Sequence, residues 1–103
     1  MSCEIQFISE AAADYKNLDG SIKKLVNSKI EALKENPFLG EALGNKNAID
    51  LTGFYKLYVA RKTYRIVYRL AGDGSIEIVE IWGIGKRDKL EIYKTIGKRI
   101  KDH

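Results

Sequence analysis

The segment LTGFYKLYVARKTYRIVYRL, from Leu51 to Leu70, has the composition of a β-hairpin and carries only positive charge. Tyr, Val, Ile, Leu and Thr dominate it, and such residues favour strands. Apolar and polar residues alternate on both sides of a break at Arg61-Lys62, which gives each strand one apolar and one polar face. The segment has no acidic residue, and its five basic residues are Lys56, Arg61, Lys62, Arg65 and Arg69.

The alternation also predicts how the two strands pair. With Val59 opposite Tyr64, paired positions sum to 123 and the apolar faces of the two strands coincide. Tyr58 then lies about 5 Å from Arg65 across the strands, with Lys56 diagonal to Arg65 on the same outer face. A one-residue slip would move these cations into the core, so this register is strongly favoured.

The positive charge of this hairpin has two interpretations. Lys and Arg can simply keep a half-solvated pair of strands in solution. A solvated face usually mixes signs, however, whereas a surface of one sign suits a polyanion. The bias extends beyond the hairpin, since residues 1–53 carry 6 basic and 8 acidic side chains (net −2) and residues 54–103 carry 12 and 6 (net +6). This asymmetry predicts a phosphate-bearing partner for the second half of the chain.

Length and composition limit the class of protein. The 103 residues, 45% of them apolar, predict a single domain over residues 1–103 with its own hydrophobic core. No segment approaches the ~20 apolar residues of a membrane span, and the N-terminus does not resemble a secretory signal. Cys3 is the only cysteine and cannot form an internal disulfide, so we expect a protein of the reducing cytoplasm.

The remaining elements predict an α+β fold: an N-terminal strand and an α-helical hairpin packed on a small, mainly antiparallel sheet, with a C-terminal helix. Glycine, proline and capping residues mark most of the boundaries. In order, we predict a strand at Cys3–Ile8, a helix from an N-cap at Ser9 to Leu18, a C-terminal αL residue at Gly20, a second helix from an N-cap at Ser21 over Ile22–Glu35, a loop over Phe38–Asp50 with a short edge strand near Ala48–Leu51, the hairpin with a four-residue loop at Ala60–Thr63, a strand at Ser75–Trp82, and a last helix from Asp88 with Arg99 on its outer side.

The sequence offers no support for metal or nucleotide chemistry. The single histidine, His103, is the terminal residue, and no Cys/His cluster or carboxylate pattern suits a metal, so we expect no metal and no cofactor. Gly83-Ile84-Gly85 is too short for a nucleotide-binding motif and is predicted to end a strand.

RNA cleavage by attack of the RNA's own 2′-hydroxyl needs no metal and no protein nucleophile. It needs an aligned substrate, cations near the charge that develops on phosphate, and groups that transfer two protons. The candidates in this chain are Lys56, Arg65, Arg87 and Tyr93. Other roles remain open: an ion pair of Arg65 with Glu77 or Glu80, a packed Tyr93 with its hydroxyl at the surface, and a solvated strand end at Lys86-Arg87.

Three segments resemble the RelE/ParE toxin superfamily of bacterial toxin–antitoxin systems: LTGFYK (51–56), TYRIVY (63–68), and IGKR with EIY (84–87 and 91–93). The resemblance covers nearly the whole chain. The GKR…Y ending is similar to the RelE branch, whose members cleave mRNA in the ribosomal A site. ParE-branch toxins, which inhibit DNA gyrase, do not generally keep that set.

By position, the resemblance implies that Lys56 is an active-site lysine, Arg65 the transition-state arginine and Arg87 a second catalytic arginine. Tyr93 corresponds to the tyrosine that stacks on or activates the attacking nucleotide. One position departs from the family pattern, because Tyr58 stands where RelE has a second lysine. We expect Tyr58 and the surrounding cations to bind substrate, the cations being Arg61, Lys62, Lys86 and Lys89.

The resemblance implies a ribosome-dependent endoribonuclease whose partners are an antitoxin protein, the ribosome and mRNA, without a membrane. Two alternatives stay open. One is a ParE-like inhibitor of DNA gyrase that performs no chemistry. The other is a weakly active relative that acts mainly as an antitoxin-binding regulatory module.

Overall fold

The computed structural model of the protein describes residues 3–46, 49–72, 77–86 and 91–103. In chain order its elements are β1 (Glu4–Phe7), α1 (Ser9–Lys16), α2 (Gly20–Glu35), β2 (Glu41–Lys46), β3 (Ile49–Val59), β4 (Tyr64–Gly72), β5 (Glu77–Lys86) and α3 (Glu91–Asp102). The strands form one sheet in the order β1-β5-β4-β3-β2, in which β1 is parallel to β5 and the other neighbours are antiparallel. The predicted α+β class is confirmed. No helix within these ranges is long and apolar enough to cross a membrane.

Strands β3 and β4 pair in the register that the alternation predicts. Tyr58 lies opposite Arg65 and Val59 opposite Tyr64, without a register shift along the hairpin. The four-residue loop is also confirmed, and a hydrogen bond of 3.1 Å from Thr63 N to the Ala60 carbonyl closes it. The period-2 pattern favours this register because a one-residue slip would place the polar face of one strand beside the apolar face of the other.

Helices pack on both faces of the sheet. Ile66 and Tyr68 of β4 are fully buried in a core shared with α1 and α2. Val67 on the opposite face is also fully buried, because Ile92 and Ile96 of α3 pack over it. The prediction that the polar face of the hairpin is an outer, solvated face is therefore wrong for its central part. This cover brings α3 next to the basic residues of the hairpin.

Strand β5 extends beyond its predicted end at residue 82 and contains two glycines. Gly83 and Gly85 lie inside the strand, so the prediction that they end it is wrong. A Cβ atom built on Gly83 would lie 2.5 Å from Ile96 Cδ1, and one built on Gly85 would lie 3.0 Å from Ile92 Cδ1. The absence of these two side chains lets α3 approach the sheet closely.

Asp14 and Arg99 join α1, β5 and α3. Arg99 Nη1 and Nη2 donate to the Asp14 carboxylate at 2.7 and 3.0 Å, and Nη1 also donates to the Trp82 carbonyl at 2.9 Å. Asp14 Oδ2 accepts from Ile84 N at 3.1 Å. Strand β1 pairs with β5 only as far as Ile81, so these side chains satisfy backbone groups that lie beyond it. The prediction that Arg99 stays outside is wrong, since its side chain is only 15% exposed.

The helix caps in the first half of the chain differ from the prediction by one or two residues. Helix α1 begins at Ser9, so Ile8 is its N-cap residue. Helix α2 begins at Gly20, because the Asp19 carboxylate accepts hydrogen bonds from the backbone N and the hydroxyl of Ser21 at 2.8 and 2.7 Å. Asp19 is therefore the N-cap of α2. The helical hairpin itself is present, and the Tyr15 hydroxyl of α1 donates to Asn27 Oδ1 of α2 at 2.7 Å.

The segment predicted as loop after α2 contains a strand. Helix α2 ends at Glu35, as predicted, but Glu41–Lys46 forms the edge strand β2 and pairs with β3. Gly44, with φ 63°, lies where the register shifts. The segment EALGNK has little intrinsic preference for a strand, so its conformation follows from pairing with the long strand β3.

Candidate active site

Arg65 lies at the centre of the predicted site and is almost completely buried. It lies on β4 between Tyr58 of β3 and Gly85 of β5, and only 7% of the residue is exposed. Its Cζ atom lies 5.2 Å from the ring centroid of Tyr58 and 4.9 Å from that of Tyr93. Both rings stabilise the guanidinium, because the negative face of an aromatic ring attracts a cation.

The hydroxyl of Tyr93 accepts a hydrogen bond from Arg65 Nη1. Tyr93 is only 2% exposed, so the alternative in which its hydroxyl lies at the surface is wrong. Arg65 Nε is buried and has no hydrogen-bond partner among the described residues. A buried donor without an acceptor costs about 1–3 kcal/mol. One donor of Arg65 is therefore unsatisfied among the described residues.

The acidic residues of β5 do not neutralise Arg65. Glu80 pairs with Arg69 instead, with 2.6 Å between Nε and Oε1, and accepts from the Trp82 indole at 2.7 Å. Burial raises the pKa of Glu80, but the hydrogen bonds from Trp82 and Arg69 outweigh it and hold the pKa below its usual value. Within the described residues Arg65 has no ion pair with Glu77 or Glu80, so that alternative is wrong.

Lys56 and Tyr58 lie on the same face as Arg65, as predicted. Lys56 Nζ donates to the Tyr58 hydroxyl at 3.0 Å and lies 3.9 Å from a carboxylate oxygen of Glu41. Sequence reasoning missed this acidic neighbour because Glu41 belongs to the unpredicted strand β2. The Glu41 side chain is 72% exposed, and such surface pairs contribute only about 0–1 kcal/mol. Lys56 therefore keeps most of its capacity to bind an anion.

Two further basic residues predicted to bind substrate lie in the hairpin turn next to this group. Lys62 Nζ lies 5.5 Å from the ring centroid of Tyr58, and Arg61 is exposed beside it in the turn. Lys86, also predicted to bind substrate, is exposed at the end of β5, but it pairs with Tyr64 and therefore starts from the sheet face opposite to that of Arg65.

Two predicted site residues, Arg87 and Lys89, lie outside the described residues, as does the predicted cap Asp88. In the part of the chain that the structure describes, no group of three or more His, Cys, Asp or Glu side chains could hold a metal ion. The side chains that the structure brings together around Arg65 are cationic and phenolic. Such groups stabilise negative charge and transfer protons.

Comparison with known proteins identifies the family. A profile described as the ParE toxin of the type II toxin–antitoxin system parDE matches residues 5–91, which is most of the chain. The chain belongs to the ParE toxin family. The predicted membership of the RelE/ParE superfamily is thereby confirmed for this toxin.

Individual relatives carry the name RelE. An Escherichia coli protein described as a putative RelE-like toxin is 21% identical over 101 residues, which cover 98% of this toxin and 100% of that protein. The E. coli toxin RelE, solved in the free state as an arginine-to-alanine double mutant, is 22% identical with a TM-score of 0.71 over 97% of this chain and 99% of that one. A chain of the Mycobacterium tuberculosis RelBE2 toxin–antitoxin complex is 25% identical with a TM-score of 0.67, over 84% and 100%. The toxin shares their fold.

Proposed function

We propose that the toxin is a metal-independent endoribonuclease that cleaves mRNA on the ribosome. The observation that carries this proposal is the buried guanidinium of Arg65, held between two tyrosine rings with one donor unsatisfied and Lys56 close by. Preorganised donors in a site of low dielectric are suited to charge that develops on a phosphate.

The proposed reaction needs only the substrate's own nucleophile. The 2′-oxygen bonds to phosphorus while the bond from phosphorus to the 5′-oxygen breaks, which leaves a cyclic phosphate and a free 5′-hydroxyl. One group accepts the proton of the 2′-hydroxyl and another supplies a proton to the 5′-oxygen. Lys56 and Tyr93 are the candidates for these transfers, and Arg65 and Arg87 for stabilising the phosphoryl oxygens.

Substrate contact with Arg65 requires a local rearrangement. Arg65 is only 7% exposed, so its guanidinium can hydrogen-bond a phosphate only if the ring of Tyr58 or Tyr93 moves aside. Tyr58 stands where RelE-branch toxins have a second lysine, and we propose that it positions the substrate by stacking on a base. Arg61, Lys62, Lys86 and Lys89 would contact the RNA backbone around it.

An antitoxin is the proposed protein partner. The M. tuberculosis relative was solved as a toxin–antitoxin complex, and the second half of this chain has a net charge of +6 from 12 basic and 6 acidic residues. We expect an acidic antitoxin segment that folds as it binds the basic face. With the ribosome as its target, the toxin would act in the cytoplasm.

Inhibition of DNA gyrase is the second candidate, and the match to a ParE family profile favours it. Such a function would need binding surfaces but no proton transfer, so the arrangement around Arg65 would have no catalytic purpose. The third candidate is a regulatory module, a weakly active toxin that acts mainly by binding its antitoxin.

Induction of the toxin in cells separates the three candidates. The proposed activity predicts rapid arrest of translation and mRNAs cut within codons, mapped by primer extension on ribosome-bound messages. Filamentation and DNA damage without such cuts would support the gyrase candidate. Normal growth would support the regulatory module.

A further inference from the structure

The turn of the hairpin has an unusual backbone. Ala60, Arg61 and Lys62 have φ values of 52°, 56° and 70°, and none of them is a glycine. Every other positive φ among the described residues belongs to a glycine: Gly44, Gly53 or Gly72. Side chains of L-residues crowd the backbone in this region, so three successive residues there strain the turn.

The strained turn brings a third cation to Tyr58. Lys62 Nζ, Arg65 Cζ and Lys56 Nζ lie 5.5, 5.2 and 5.0 Å from the centroid of the same ring. Within the described residues the only carboxylate in an ion pair with these cations is that of Glu41, 3.9 Å from Lys56 and 72% exposed. Three like charges around one ring repel each other unless an anion joins them. The turn is thus unfavourable both in its backbone and in its charge.

Glycine would relieve the strain of these backbone angles, yet the turn has none. Backbone strain of this kind is found mainly at functional sites, where the strained geometry serves binding or catalysis. We propose that the turn is a preformed phosphate-binding element, in which Lys62 acts with Lys56 on a phosphodiester of single-stranded RNA beside the nucleotide at Arg65. The ligand class rests on the proposed nuclease function. Without RNA, the ring of Tyr58 partly balances the ammonium of Lys62. With RNA bound, the phosphate replaces the ring as the partner of Lys62.

Salt-dependent binding of a short single-stranded RNA tests this element. The probe is an oligonucleotide with 2′-O-methyl riboses, which cannot be cleaved by 2′-hydroxyl attack. The slope of log K against log salt is negative, and loss of one phosphate contact reduces its magnitude by about 0.7; below, a lower slope means a smaller magnitude. We expect this change for Lys62→Gln. Lys98→Gln removes the same charge from the exposed face of α3 and is expected to leave the slope unchanged.

Glycine variants test the strain separately. Lys62→Gly removes the strain and the cation together, and is expected to raise Tm while weakening RNA binding. Ala60→Gly removes comparable strain but no charge, and is expected to raise Tm without lowering the slope. If the turn had only a structural role, Lys62→Gly would raise Tm without weakening RNA binding.

The outcomes separate this inference from the proposed function. An unchanged slope in Lys62→Gln, or no RNA binding by the wild-type toxin at low salt, overturns the phosphate-binding element. If the wild-type toxin cuts mRNA on ribosomes in either case, the nuclease function still stands. A lower slope in Lys62→Gln without any cleavage by the wild-type toxin would keep the element and reject the nuclease.

Discussion

Arg65 and Tyr93, 28 residues apart in the chain, are joined by a hydrogen bond from the guanidinium to the phenolic hydroxyl. One residue lies on the central strand β4 and the other on α3, so this bond connects the basic hairpin to the helix that covers it. Both side chains are almost completely buried. The proposed site is therefore completed by the packing of α3 and not by the hairpin alone.

Tyr93→Phe removes this acceptor and keeps the ring. We expect single-turnover cleavage on ribosomes to fall by about 10²–10⁴ if the hydroxyl transfers a proton. The free energy of unfolding should fall by about 1–3 kcal/mol, because Arg65 Nη1 loses a buried partner. Equal cleavage rates for Tyr93→Phe and the wild type would contradict the assigned role of the hydroxyl.

Arg65→Gln should abolish toxicity, since the loss of a donor to developing charge costs about 3–4 kcal/mol of transition-state stabilisation. Arg69→Gln is the matched control. Arg69 lies on the same strand and face, but it pairs with Glu80 and is 44% exposed. The control should keep full toxicity, and Arg87→Ala should behave like Arg65→Gln. Toxicity in Arg65→Gln equal to that of Arg69→Gln would remove Arg65 from the mechanism.

Tyr58 is half-buried and faces Arg65, so its replacement should affect substrate more than stability. We expect Tyr58→Ala to slow cleavage, because a stacked base contributes about 1–3 kcal/mol. Tyr58→Lys should accelerate it by supplying a cation in place of the ring. Chemical unfolding of both variants is the companion measurement. Destabilisation of Tyr58→Ala by the ~3–5 kcal/mol typical of a buried aromatic would argue for a core role instead.

Gly83→Ala should destabilise the toxin by about 1–3 kcal/mol, because the new Cβ would press on Ile96 and displace α3. It should also slow cleavage, since α3 carries Tyr93. Gly20→Ala is the control, as a Cβ there meets nothing within 4 Å at the start of α2. Urea unfolding measures both variants. A Gly83→Ala protein as stable as Gly20→Ala would show that the close approach of α3 is not needed.

The sequence by itself determined the register of the hairpin and the end of α2. The period-2 pattern is consistent with Tyr58 opposite Arg65, because a one-residue slip puts cations in the apolar face. Proline after Asn36 ended α2 at Glu35, because the residue before proline disfavours the helical conformation. Both signals are local and therefore readable from neighbouring residues.

Only the tertiary structure decided which elements lie beside and over the hairpin, and where Gly83 and Arg99 lie. The segment Glu41–Lys46 became a strand because the long strand β3 offered a free edge. Gly83 lies inside β5, where a side chain would collide with Ile96 of α3. Arg99 lies inward because it donates hydrogen bonds to Asp14 and to the Trp82 carbonyl. Each of these three features depends on contacts between residues that are distant in the chain. The periodicity of a sequence indicates on which face of its element a residue lies, but not which other element packs against that face.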